Sequence, residues 1–172
     1  MPAILFLTGA SGSGKTSLVR HLRAAAPDGV YLHFDAIGVP DRATMVKEFG
    51  SGERWQAAMT HRWIQKIVTT HAASPLVILE GQARPSFIDD AFAAFGVARA
   101  AIALVHCDDE ERERRLHARG QPELANDEMR SWSRFLLREA IARRLAVIDT
   151  TRATVEDAAA LVVEISAGFV DP

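Results

Sequence analysis

Gly9-Ala10-Ser11-Gly12-Ser13-Gly14-Lys15-Thr16 satisfies the pattern G-x-x-x-x-G-K-[ST] at every constrained position, and it directly follows the apolar run Ala3-Ile4-Leu5-Phe6-Leu7. The chemistry of that pattern is phosphate binding. Its glycines let backbone N–H groups converge on phosphate oxygens, Lys15 can reach the β- and γ-phosphates of a nucleoside triphosphate, and the Thr16 hydroxyl can ligate Mg²⁺. A helix starting near Lys15, with Leu18, Val19 and Leu22 on one side and Arg20 and Arg23 on the other, would add the positive end of its dipole. The expected cradle therefore runs from Gly9 through Ser17, and the expected ligands are ATP and Mg²⁺.

Further reactive residues follow the other apolar runs. Asp35 stands in His33-Phe34-Asp35-Ala36-Ile37-Gly38-Val39-Pro40, where a carboxylate could accept a proton from an attacking hydroxyl; the competing reading is a turn aspartate ahead of Gly38 and Pro40. His33 reads as a core or supporting histidine rather than a catalyst. Glu80 ends Leu76-Val77-Ile78-Leu79, placed to orient Mg²⁺ or to contact a substrate. Gln82 and Arg84 follow on a loop, where Arg84 could bind an anionic group or simply lie in solvent. Arg112, Arg114, Arg115 and Arg119 interleave with Glu110, Glu111 and Glu113 as on an ordinary charged helix face, but Arg115 and Arg119, four apart, can both point into a cleft. Arg130, Arg134 and Arg138 form one helical stripe, which either pairs with acids such as Glu139 or faces a nucleotide. Trp55, Met59 and Trp63 recur at core spacing, with a substrate pocket as the alternative, and Trp132 carries the same ambiguity.

Positioning these groups needs a particular scaffold. Five short apolar runs, Ala3 to Thr8, Val30 to Phe34, Leu76 to Glu80, Ala100 to His106 and Ala146 to Asp149, alternate with helically spaced segments at Trp55 to Thr70, Asp108 to Arg119, Asp127 to Arg144 and Thr154 to Ala167. Continuously apolar strands alternating with helices predict an α/β fold, a five-stranded parallel sheet covered on both faces. Ligands in such sheets sit beyond the carboxyl ends of the strands, where every candidate above falls. The polar stretch from Arg119 to Asp127, with Gly120 and Pro122, reads as a mobile lid. Residues 1–172 are expected to form one domain. Twenty basic against 22 acidic side chains give a net charge of −2, which disfavours nucleic acid or an anionic membrane as a bulk electrostatic partner. The single cysteine, Cys107, excludes an internal disulfide and reads as a packed thiol in a reducing compartment; with no apolar run near the length of a membrane span, a cytoplasmic location is expected.

With the phosphate loop, an Asp after the second strand, an acid after the third and Arg115-x-x-x-Arg119 before a lid, the chain resembles the P-loop kinases of small molecules over nearly its whole length. Within them it is most similar to the chloramphenicol phosphotransferase-like proteins, through the loop, the His33 to Pro40 segment and Ile148-Asp149-Thr150-Thr151 ahead of a helix. The resemblance implies a P-loop three-layer sandwich with a small lid. It implies Asp35 as the base for a substrate hydroxyl, Arg115 and Arg119 as adenylate-kinase-type lid arginines against adenine and phosphate, and the Asp149 to Arg152 segment, with Thr151 and Arg152, bordering the adenine. The chain departs from that family at Glu80-Gly81-Gln82-Ala83-Arg84-Pro85-Ser86-Phe87. The expected activity is transfer of the γ-phosphoryl of ATP to a hydroxyl of a small molecule, with Lys15, Asp35 and Arg119 catalytic and Thr16 and Glu80 at the metal. Alternatives are a nucleoside or nucleotide kinase, a regulatory ATPase switch, or a kinase of nucleic-acid ends; a G-protein would need an Asn-Lys-x-Asp motif, which the sequence lacks.

Overall fold

The computed structural model describes residues 1–170, with side chains described as far as residue 168. Its sheet contains β1 (Ala3–Thr8), β2 (Val30–His33), β3 (Leu76–Gly81), β4 (Ala100–His106) and β5 (Ala146–Asp149). They lie in the order β2-β3-β1-β4-β5, every neighbouring pair parallel. All five expected strands are present to within a residue at either end. β1 is buried at all six positions, which is why it reads as an unbroken apolar run rather than an alternating one. From β1 the chain first fills one side of the sheet, then crosses to the other; the switch point at the carboxyl end of β1 is where the phosphate-loop sequence begins.

The pleat sends alternate side chains to opposite helical layers. Ile4 and Phe6 of β1, with Val77 and Leu79 of β3, pack on Ile64 and Ile67 of α3 (Gly52–Thr70) and Ile88 and Phe92 of α4 (Pro85–Ala94). Leu5 and Leu7, with Ile78, Ala103 and Val105, pack on Leu18 and Leu22 of α1 (Lys15–Ala25) and on Ala158 and Val162 of α7 (Val155–Val170). Leu136 and Ala140 of α6 (Asp127–Ala142) close over Leu104 of β4. Between β4 and α6 lies α5 (Asp109–Ala118), which carries the arginine cluster.

Two helices are additions to the sequence reading. The Glu80 to Phe87 stretch is not all loop: α4 starts at Pro85, whose missing N–H is no loss at a first helical position. α2 (Arg42–Phe49) buries no residue fully, so its apolar pattern is faint, yet Asp41 caps it through the Thr44 N–H at 2.7 Å and Gly50 ends it at φ 84°. α3 begins at Gly52 rather than Trp55, because the Ser51 hydroxyl accepts from the Arg54 N–H. The stretch from Arg119 to Asp127 contains a 3₁₀ turn, Pro122–Leu124, and Asn126 caps α6.

Trp55, Met59 and Trp63 are core residues, all buried against the sheet. They also fix the site. The buried Phe34 ring lies 6.1 Å from Trp55, edge to face, and the Phe34 carbonyl accepts the Trp63 Nε1–H at 2.9 Å. Asp35 comes next, on the 3₁₀ turn Phe34–Ile37. Trp63→Phe keeps most of the packing but strands this carbonyl, and the expected cost is about 1–3 kcal/mol, read as a lower midpoint in urea unfolding.

Candidate active site

The phosphate loop is braced from three sides. Gly12 (φ 83°) and Gly14 (φ 97°) take left-handed conformations that turn successive N–H groups inward, a nest for an anion. A side chain at Gly9 would collide with the Val105 carbonyl of β4, and one at Gly12 would come within 2.7 Å of Arg112 Cγ on α5. Thr150 Oγ1, after β5, donates to the Ser13 carbonyl at 2.9 Å. Within the cradle, the Lys15 side chain is only 7% exposed and its Nζ donates to the Ala10 carbonyl at 3.0 Å. The Ser13 hydroxyl is buried and has no hydrogen-bond partner among the described residues. A buried unpaired hydroxyl is costly, and an oxyanion in the nest would supply the missing acceptor.

Across a cavity of about 300 Å³, Lys15 and Thr16 share their surroundings with Asp35, Glu80 and Arg119. β2 and β3 in register place His33 beside Glu80, and the Glu80 Oε1 atom lies 2.7 Å from His33 Nδ1 while accepting the Thr16 hydroxyl at 3.3 Å. His33 thus steadies the acid and lies behind it. Burial lowers Lys15 from its ordinary 10.5 to about 8, against the opposing pull of Glu80 and Asp35. Asp35 moves the other way: lost hydration and then the Glu80 charge raise its pKa, and Lys15 and His33 only partly offset them. The acid ends up more basic and the ammonium more ready to lose its proton. Thr16 and Glu80 offer adjacent hard oxygens of the kind Mg²⁺ accepts. Among the described residues no trio of His, Cys, Asp or Glu is close enough to hold a metal alone, so phosphate and water would complete its shell.

On the α5 side, Arg115 is heavily engaged. It donates to the Thr150 carbonyl at 2.6 Å, Thr150 Oγ1 at 2.8 Å and Glu111 at 2.7 Å, which holds its flat guanidinium at the edge of a second cavity of about 370 Å³. Leu18, Ala153, Val155 and Ala158 give that cavity an apolar lining, and Ser17 also borders it. Thr151 and Arg152 do not reach it; they line an adjacent cleft with Asp108 and Asp149, and Thr151 Oγ1 accepts the Asp108 N–H. Thr150 takes the place expected of them, a role with no distinguishing sequence signal. Arg119, the residue capping α5, is exposed, makes no ion pair among the described residues and borders both cavities. In the α6 stripe, Arg130 pairs with Glu113 and Arg134 with Asp109, so these two brace α5 rather than face a nucleotide.

On the opposite side, Gln82 Nε2 donates to the Ser11 hydroxyl at 2.9 Å, joining the loop after β3 to the phosphate loop. Thr8 Oγ1 reinforces the junction through the Ala83 carbonyl at 2.7 Å. Gln56 of α3, unremarked in the sequence, fixes the same segment: its amide accepts the Arg84 N–H and donates to the Gln82 carbonyl, both at 3.1 Å. Gln82 and Arg84 open on a third cavity, of about 580 Å³, that adjoins the first.

The fold recurs in solved kinases of small molecules. A gluconokinase from Sinorhizobium meliloti aligns at TM-score 0.66 and 18% identity over 98% of this chain and 94% of its own. Shikimate kinase from Acinetobacter baumannii, solved with shikimate, aligns at 0.64 and 16% over the same shares, 98% and 94%. A sugar kinase from a Janibacter species aligns at 0.65 and 16% over the whole of both chains. At such identities the likeness is one of fold. Among curated proteins no sequence relative is found. The profile of the AAA domain family matches residues 5–135, a span that holds the phosphate loop, Asp35, Glu80, Arg115 and Arg119, and the chain belongs to that family.

Proposed function

We propose that the protein is a Mg²⁺- and ATP-dependent kinase of a small hydroxylated molecule. The observation that carries this reading is the meeting of Lys15, Thr16, Asp35, Glu80 and Arg119 around one cavity, with an apolar recess on one side of it and a second, larger cavity on the other. ATP fits with its base in the recess against Arg115 and its phosphates in the nest. Thr151 and Arg152 lie outside that recess, in the adjacent cleft beside Asp108 and Asp149. The acceptor then enters from the side of Gln82 and Arg84.

In the transfer, the acceptor hydroxyl oxygen forms a bond to the γ-phosphorus as the bond from that phosphorus to the β–γ bridging oxygen breaks. The hydroxyl proton passes to the Asp35 carboxylate, and ADP leaves with the electron pair of the broken bond. Lys15 and the loop N–H groups hold charge on the phosphates, and Arg119, which makes no ion pair among the described residues, closes onto the transferring group. Mg²⁺, held by Thr16 and oriented by Glu80, would neutralise phosphate charge. The rise in the Asp35 pKa suits it to accept the proton. Cytosolic conditions suit the lone buried thiol of Cys107, and no helix among the described residues is long and apolar enough to cross a membrane.

Asp35→Asn separates binding from chemistry. ATP affinity should change little while acceptor phosphorylation falls about 10²-fold or more, measured on the acceptor found by screening ATP consumption against hydroxylated metabolites and antibiotics. A regulatory ATPase, or Asp35 as a mere turn residue, predicts near-parental rates in this variant.

Lys15 gives a pH dependence. Below about pH 8 the lysine is protonated both free and bound, so binding is pH-independent on its account; above about 8 the free protein must take up a proton to bind. The dissociation constant for Mg-ATP should therefore climb by up to about tenfold per pH unit above that point. Calorimetry at pH 8.5 in two buffers of different ionisation enthalpy should show proton uptake, which Lys15→Arg removes.

The Arg119 to Asp127 segment carries few apolar anchors. Its amides should exchange quickly in the free protein and gain protection with Mg-ATP, by hydrogen-exchange mass spectrometry. Equal exchange in both states would remove the lid from the mechanism.

A further inference from the structure

The cavity of about 580 Å³ is large enough for a metabolite-sized ligand, and it meets the phosphate cavity at Gln82 and Leu124, which border both. An acceptor lying in it would present a hydroxyl to Asp35 at one end. Arg84 lines the same cavity. Its guanidinium lies 4.6 Å from the Phe135 ring centre, 5.5 Å from that of Trp132 and 5.9 Å from that of Phe87. Three aromatic rings therefore flank the guanidinium within cation–π distance, and its N–H donors are little used. Among the described residues one contact uses them, to Glu53 at 3.5 Å, with the two side chains 28% and 58% exposed.

Other arginines nearby are unlike it. Arg112 is spent on Ser133 and Asp109, and Arg115 on Thr150 and Glu111. Arg84 alone of these combines a fixed pose with donors to spare. Its mounting is rigid, because the Gln56 amide holds both its own N–H and the Gln82 carbonyl, and α4 begins at the next residue. An exposed ion pair as long as the one to Glu53 contributes little, so an anion can displace it readily. Beside the guanidinium, Trp132 and Phe135 stack at 5.4 Å and 14° into a flat apolar wall.

We infer that the phosphoryl acceptor carries, besides its hydroxyl, an anionic group that Arg84 takes edge-on, with a planar or apolar portion of the molecule against Trp132. The inference rests on the kinase reading above and deepens it. Carboxylate and phosphate monoester share the required chemistry, two oxygens in a plane matching the guanidinium fork. Gln56 is a positioning residue, acting through the backbone of Arg84.

The test uses the intact protein and a library of hydroxylated metabolites sorted into neutral, amine-bearing, carboxylate-bearing and phosphate-bearing members. Each is assayed twice, by thermal shift with a non-hydrolysable ATP analogue and Mg²⁺, and by ATP consumption. Ligands should fall in the carboxylate or the phosphate arm, and the arm that responds identifies the anion. For the best of them, Arg84→Gln should raise the acceptor KM or dissociation constant about 10- to 100-fold, with the smaller change in kcat and none in ATP affinity; Arg84→Lys should recover only part. A neutral or cationic acceptor that is phosphorylated overturns the anion while leaving the kinase. Anions that bind through Arg84 yet never consume ATP support the site and overturn the kinase. Binding of no anion, or anion binding indifferent to Arg84→Gln, overturns the site.

Discussion

A positive charge kept almost wholly out of water is the constraint around which this molecule is arranged. Lys15 is buried at the start of a helix whose own N-terminus is electropositive, a placement that nothing in the free protein fully repays. The Ala10 carbonyl and the fields of Glu80 and Asp35 offset part of the cost. Those acids in turn repel each other and, in Asp35, favour the protonated form. The buried ammonium and the N–H nest draw an anion while Asp35 and Glu80 oppose one, so the site is complementary to an anion that brings its own cation. The partnerless Ser13 hydroxyl belongs to the same account.

That arrangement survives only because its backbone is held from outside. The loop touches β4 behind Gly9, α5 behind Gly12 and the end of β5 through Thr150. Arg112, at 1% exposure the largest of the fully buried side chains, passes from beneath the loop to Ser133 on α6. Its charge is answered by Asp109, which also holds Arg134. Removing Asp109 would leave the buried Arg112 guanidinium without its counter-charge, which is expensive. The arginines around α5 are therefore divided between two tasks: Arg112, Arg130 and Arg134 hold helices together, while Arg115 and Arg119 reach the cavities.

How much of this could be read from the chain depended on whether an interaction leaves a local signature. The buried parallel strands did, as unbroken apolar runs, and so did the phosphate loop, whose glycines are demanded by backbone geometry. Asp35 and Glu80 were legible because the sheet delivers strand ends to one edge. α2 was not, for it buries nothing completely, and α4 hid behind Arg84-Pro85, a pair that marks a helix start as readily as a break. Gln56 and Thr150 act across 28 and 137 positions of sequence, on Arg84 and Ser13, and no spacing rule announces them. Likewise the stripe of Arg130 and Arg134 admitted two readings until the acids on α5 were in place.

The two working cavities draw on different parts of the chain. The inner cavity is lined by the ends of β1 and β3 and the start of α1, whereas the outer cavity is walled by α3, the Gln82–Arg84 segment and the Trp132–Phe135 face of α6. Among the described residues, only Gln82 and Leu124 line both. Exchanges at Glu53, Trp132 or Phe135 would change the outer cavity without touching the residues that line the inner one. Such a division makes the chain modular in an evolutionary sense: the costly half, with its buried lysine, can be inherited intact while the other half drifts toward new substrates.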